Sequence, residues 1–120
     1  MKGSDIRSSR ELIASAKADA LWERLYQSEK KENIERYVSV CEGYEKSFGE
    51  GDILLFTSAG RTEICGNHTD HNHGKVLAAS INLDCVAAAG LNSSSKVRII
   101  SETFNQDFEI DLNDLEPSKR

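Results

Sequence analysis

Hydrophobic and polar positions alternate with one period before residue 50 and another after it. In the first part, apolar side chains return every three or four positions. They fall first at Leu12, Ile13, Ala16, Ala20, Leu21 and Leu25, then at Ile34, Tyr37, Val38, Cys41, Tyr44 and Phe48. That spacing predicts two amphipathic helices. Ser8 and Glu11 have capping-box spacing at the start of the first, the polar run 28–32 separates the two, and Asn33 is the expected cap of the second. Gly49, after Phe48, supplies a residue able to take the left-handed conformation that ends a helix.

Beyond Gly51 the pattern reads as strand. Ile53-Leu54-Leu55-Phe56 is a continuous apolar run, which predicts a strand covered on both faces, and 62–65 predicts a second short strand. The stretch between Gly66 and Gly74 has almost no hydrophobic residue and must be a loop. From Val76 to Leu91 the residues are small and apolar, and periodicity leaves strand and partial helix both open. Ser93 to Ser95 reads as a turn. Residues 97–100 and 107–112 then predict a hairpin about Asn105-Gln106, its second strand alternating strictly and having one wet face. Helices followed by strands make the class α+β, or α/β, with N-terminal helices leading into a mixed or antiparallel sheet. The chain reads as a single partial domain over 1–120, helical in 1–50 and strand-rich in 51–120, with the polar loop inside 60–77.

Composition narrows the functions. At 120 residues, 38% of them hydrophobic, the chain can bury a real but modest core. Fifteen Lys and Arg against 20 Asp and Glu leave a net charge of −5, which argues against nucleic acid or an anionic membrane as partner. Three cysteines, Cys41, Cys65 and Cys85, have no paired spacing that would suggest a disulfide scaffold, so a reducing compartment fits best. The N-terminus lacks the apolar core of a secretory signal and no run approaches a membrane span, so a cytoplasmic location is expected.

Chemistry concentrates between Gly60 and Gly74, which hold all three histidines of the chain, an arginine, two acids and two asparagines. Polar groups this dense are a poor way to build a core, because each buried one needs a partner. Arg61 offers a planar charged fork for a phosphate or carboxylate, Asp70 can accept two hydroxyl hydrogen bonds, and Asn67 can donate and accept. Together they suit a polyhydroxylated anion, or a sugar beside a phosphate. Two other readings remain. His68, His71, His73, Asp70 and Cys65 are acceptable metal ligands, although their spacing matches no strong zinc signature. The loop could also be a solvated turn with ordinary surface histidines. A phosphate-cradling loop fails, because no Gly-Lys-Ser/Thr follows.

The pattern Gly60-Arg61-x-x-Ile64-x-Gly66-x-His68-Thr69-Asp70-x-Asn72-x-Gly74-x-Val76-Leu77 resembles the signature of the galactokinases, within the galactokinase, homoserine kinase and mevalonate kinase superfamily. The resemblance runs from about Ile34 to Leu91. It implies the N-terminal, sugar-recognising segment of a kinase that uses ATP and Mg2+ to phosphorylate galactose at its anomeric hydroxyl. On that resemblance Arg61 is the catalytic arginine at the transfer site, and Asn67, His68 and Asp70 are sugar-binding residues, with no metal site in the loop. Asn67 stands where the family most often has Glu, keeping polar reach while losing charge, which leaves the identity of the sugar open. Ala59, Glu63, His71 and Ala78 replace a usual Pro, Asn, Tyr and Pro. Nothing after Leu91 resembles the family's ATP loop or catalytic Asp, and 97–120 contain no glycine, so the isolated chain is expected to be an inactive fragment needing no cofactor of its own. The alternatives are a non-catalytic module that binds a sugar or a partner, and a His-rich metal-binding loop. Apolar surface left open by a missing remainder would favour self-association.

Overall fold

A computed structural model describes residues 4–5, 11–27, 30–66 and 70–116, in two compact units, 1–90 and 91–120. Apart from a two-residue strand at the start, helices precede antiparallel strands, as expected for an α+β chain. No described helix is long and apolar enough to cross a membrane. The first unit begins with strand β1 (Ser4–Asp5), followed by a helical turn at 11–13, a 3-10 turn (Ala16–Ala18), α1 (Asp19–Tyr26) and α2 (Lys30–Phe48). Two long strands follow, β2 (Asp52–Cys65) and β3 (Leu77–Ala89), and the antiparallel sheet has the order β1-β2-β3.

The first predicted helix is broken. Ser15 is extended and its hydroxyl bonds back to the Leu12 carbonyl at 2.8 Å, offering the backbone an alternative to helix. Its expected capping serine, Ser8, lies outside the described residues. With the stripe interrupted, Leu12, Leu21 and Leu25 stay about half exposed, and Trp22 enters the core at 3% exposure. Its indole N–H donates to the Ile13 carbonyl at 2.8 Å, tying α1 to the turn before it. Trp22, Tyr26 and Tyr37 then form an aromatic triangle, the Trp22 and Tyr37 rings edge-to-face at 4.9 Å.

The second helix begins earlier than the polar run suggests. Lys30 to Glu32 form its first turn, since Lys and Glu are good helix formers and Lys31 reaches Glu35 one turn on, at 4.0 Å. The break falls instead at Gln27, whose φ is +45°. Asn33 is therefore not a cap; it is buried inside α2, on the face that also buries Tyr37 and Cys41 at four-residue steps. Gly49, at φ +83°, ends the helix as expected, its N–H donating to the Glu45 carbonyl at 2.9 Å.

The helices cover one face of the hairpin. Ile53 and Leu55 of β2 lie on that face with Val86 and Ala88 of β3, and Ile53 is only 3% exposed. Leu54 and Phe56 point the other way and are 45% and 53% exposed, so the expectation of a strand covered on both faces is corrected. A single helical layer reaches only one side of the pleat. The predicted second strand at 62–65 is the far end of β2, and the open choice for 76–91 resolves to strand.

In the second unit, β4 (Lys96–Ser101) and β5 (Gln106–Asp111) form the expected hairpin, turning at Asn105 with φ +47°. One face carries the pairs Lys96–Glu109 and Arg98–Asp107, each closing to 2.5 Å. The other carries Val97, Ile99, Phe108 and Ile110 in facing positions, all more than a third exposed.

Candidate functional site

The loop that concentrates chemistry is the connection of the β2–β3 hairpin. Pairing of the two strands is regular from Leu54 opposite Ala89 to Ala59 opposite Asp84. It then shifts: β2 advances from Ala59 to Arg61 while β3 runs from Asp84 back to Ser80. Gly60 occupies the shift, and a Cβ there would stand 3.0 Å from the Leu83 carbonyl oxygen and 3.2 Å from the Ile81 side chain. Irregularities of this kind re-aim the side chains that follow them. Arg61 is the first residue paired again, opposite Ser80. Its side chain is 66% exposed and its guanidinium lies 3.6 Å from Glu63 Oε1, too long for a strong hydrogen bond.

A second shift lies between Glu63 and Cys65, after which Gly66 leaves the strand at φ +103°. A Cβ at Gly66 would lie 2.4 Å from the Lys75 carbonyl oxygen and 2.8 Å from Val76 Cα, so the two ends of the loop meet through this missing side chain. Gly66→Ala is expected to lower stability by about 2 kcal/mol or more, combining left-handed strain with the close contact. Gly51→Ala, with nothing within 4 Å of the new methyl, is the control. Urea midpoints of the two variants check this; equal midpoints would contradict it.

Of the residues singled out in the sequence, Asn67 and His68 lie outside the described residues. Asp70 opens a 3-10 turn, Asp70–Asn72, and His73 follows at φ +58°. His71 Nε2 and the Asn72 amide are 3.1 Å apart. Among the described residues no three His, Cys, Asp or Glu side chains gather as a metal site. All three cysteines are free thiols, Cys41 buried, Cys65 and Cys85 exposed. A cleft of about 550 Å³ is lined by Leu21, Trp22 and Leu25 of α1 and by residues 55–57 of β2, with no lining residue from the loop.

A cluster the sequence reading passed over stands beside the register shift. Asp84, its side chain 7% exposed, accepts hydrogen bonds from Arg36 of α2, Tyr26 of α1 and Thr57 of β2. Tyr26 and Tyr37 hydroxyls are 3.0 Å apart, and the Arg36 guanidinium carbon lies 5.7 Å from the Tyr26 ring centroid. The signal was a single acid in an otherwise small, uncharged run, Ile81-Asn82-Leu83-Asp84-Cys85-Val86. Burial disfavours the Asp84 charge, but the bonds from Thr57, Tyr26 and Arg36 and the Arg36 charge outweigh it, so the carboxyl titrates below its ordinary range. Burial, then the bonds to Asp84 and Tyr37, push the Tyr26 hydroxyl well above the usual tyrosine value.

The sign for Asp84 follows from linkage. The unfolded chain takes up this proton near the ordinary carboxylate value, about pH 4, and the folded one only at lower pH, so the contribution is full above about pH 4 and is lost as pH falls through the lowered value. Asp84→Asn should flatten that acid limb of a stability-against-pH curve, measured as urea midpoints; an unchanged slope would contradict the assignment.

Comparison with known proteins finds its matches over the same region. Residues 42–91 match the profile described as the galactokinase galactose-binding signature. The chain is 35% identical over 77 residues to a galactokinase of Candida maltosa, an alignment covering 63% of this chain and 36% of that one. It is 35% identical over 88 residues to a galactokinase of Lactococcus lactis subsp. cremoris, covering 71% of this chain and 22% of that one. A Lacticaseibacillus casei galactokinase gives 35% over 83 residues, 68% of this chain and 21% of that one. The chain thus spans about a third or less of the length of these relatives. No solved structure matches it at a comparable level. The matched residues include α2's last turns, the whole β2–β3 hairpin and its loop. Residues 42–91 of this chain are thus similar to the galactose-binding signature of galactokinases, and the longer alignments to individual galactokinases run through the same region.

Proposed function

We propose that the chain is the galactose-recognising segment of a galactokinase, and that in the complete enzyme it presents the sugar for phosphorylation by MgATP. The observation that carries the reading is the match of 42–91 to the galactose-binding signature, over the hairpin whose register shift and Gly66 shape the loop. In this reading Asp70 accepts hydrogen bonds from sugar hydroxyls, with Asn67 and His68 completing the polar contacts. Arg61 faces the transferring phosphoryl group. The anomeric oxygen forms its bond to the γ-phosphorus as the bond to the β,γ-bridging oxygen breaks, ADP leaves, and the hydroxyl proton is released. A fixed guanidinium stabilises the charge on the phosphoryl oxygens as they pass through that loose arrangement.

Asp70→Ala in the complete kinase is expected to raise the galactose KM with a smaller change in kcat, since it removes ground-state sugar contacts. Steady-state kinetics at saturating ATP check this, and an unchanged KM would contradict the role. The enzyme is assigned to the cytoplasm, consistent with its free thiols. The half-exposed Leu54, Phe56, Leu21 and Leu25 lead the isolated chain to self-associate, read as a sedimentation coefficient that rises with concentration. A second reading, a module that binds a sugar without phosphoryl transfer, keeps the Asp70 result and predicts no effect of Arg61 on any ATP-dependent step.

A further inference from the structure

We propose that Asp84 is a positioning residue for Arg61: clamped to both helices, it fixes the register shift of the β2–β3 hairpin and thereby the place from which the Arg61 guanidinium projects. This rests on the galactokinase reading of Arg61 given above.

The argument starts from where the hairpin is held. Before the shift, packing of Ile53, Leu55, Val86 and Ala88 against the helices secures both strands. Beyond it, β2 and β3 are mostly exposed, and exposed two-stranded ribbons are only marginally stable in water. Asp84 is the last paired residue of β3 on the anchored side, opposite Ala59. Its carboxylate takes bonds from α1 through Tyr26, from α2 through Arg36 and from β2 through Thr57. A buried carboxylate needs all of these, because an unpaired charge there would be costly. The bonds come from three directions, so they define the position of β3 rather than merely attracting it.

What happens next depends on that position. β3 spends three residues, Ile81 to Leu83, across the single residue Gly60. The missing Gly60 side chain lets the Leu83 carbonyl approach to within 3.0 Å of where a Cβ would stand. Arg61 follows one residue later. Two residues earlier on the same strand, by the two-residue alternation of a pleat, Ala59 faces as Thr57 does, on the clamped side. If β3 slips at Asp84, Gly60 loses its close neighbour and Arg61 loses its fixed exit, while the packed half of the hairpin from 53 to 56 keeps its anchors.

Amide hydrogen exchange on this chain, resolved by residue, tests the proposal with four proteins: wild type, Asp84→Asn, Thr57→Val and Thr57→Ser. Global destabilisation lowers protection equally throughout a unit, whereas loss of a positioning contact lowers it more at 60–62 than at 53–56. The expected result is an excess loss at 60–62 of about tenfold in Asp84→Asn and a smaller one in Thr57→Val, with Thr57→Ser restoring wild-type protection because it keeps the hydroxyl. Equal loss at both segments, or none at 60–62, overturns the proposal. Should Asp84→Asn not fold, the Val and Ser pair at 57 decides. Galactose titration of the same proteins separates the two readings. A wild type that ignores galactose sinks the sugar reading, while the exchange pattern still judges the positioning of Arg61.

Discussion

Replacing Arg61 with alanine in the complete kinase is expected to cut turnover by about a thousandfold or more while the galactose KM changes little, within the galactokinase reading. The magnitude follows from the job. Phosphoryl transfer leaves little covalent chemistry for a protein, so a cation fixed against the moving oxygens carries a large share of the acceleration, about 10³–10⁵ where such arginines have been removed elsewhere. Arg61 is suited to it because it stands immediately after a register shift, its side chain is 66% exposed, and among the described residues its ion pair is the distant one with Glu63. Arg61→Lys should recover part of the loss at most, since lysine supplies a point charge without the planar fork. Stopped or steady-state assays of ATP consumption with and without galactose check this. Retention of more than about a tenth of wild-type kcat in Arg61→Ala would remove the arginine from the transfer step.

The second large effect is structural. Trp22→Ala is expected to unfold the first unit at physiological temperature. The buried apolar set among the described residues is small, Ile13, Trp22, Tyr37, Cys41 and Ile53, and Trp22 is its largest side chain. It packs edge-to-face on Tyr37, stacks on Tyr26, and holds the Ile13 turn through its indole N–H. Removing such a side chain costs about 3–5 kcal/mol, a large part of the roughly 5–15 kcal/mol that stabilises an ordinary domain. The accompanying fall in Tm is about 15 °C or more. Leu21→Ala, at a neighbouring position 51% exposed, should shift Tm by only a few degrees, about 1 kcal/mol or less. Far-UV circular dichroism suits both, because Trp22 is the chain's one tryptophan and its removal takes the fluorescence probe with it. Similar melting of the two variants would show that the aromatic triangle is not the core.

These two residues also show what was legible in the sequence. The second helix, the strand beginning at Ile53 and the hairpin at 96–111 could be read from their periods, because apolar spacing reflects which face meets the core, whereas the small apolar residues of 76–91 fit strand and helix alike. The break at Ser15 could not, because it depends on a hydroxyl preferring the Leu12 carbonyl to solvent, and nothing in the spacing records that choice. Asn33 misled for a related reason. Its side chain suits a cap, but the Lys and Glu residues before it extend the helix by a turn and place it on the buried face. For the site, Arg61, Asp70 and the glycines stood out by type and fixed spacing. Asp84, Arg36, Tyr26 and Thr57 did not, since they come from four separate elements and acquire meaning only when the hairpin packs on the helices. The exposed Leu54 and Phe56 reveal a further limit: an apolar run states that both faces are fit for burial, not that this stretch of chain supplies both covers.

Sugar recognition by this chain itself is the claim on which the rest depends. Calorimetric titration of the 120-residue chain with galactose, with ATP as the comparison ligand, measures it directly. The account predicts saturable heat with galactose that disappears in Asp70→Ala, and none with ATP. Heat with ATP and silence with galactose, or a galactose signal untouched by the loss of the Asp70 carboxylate, would contradict it.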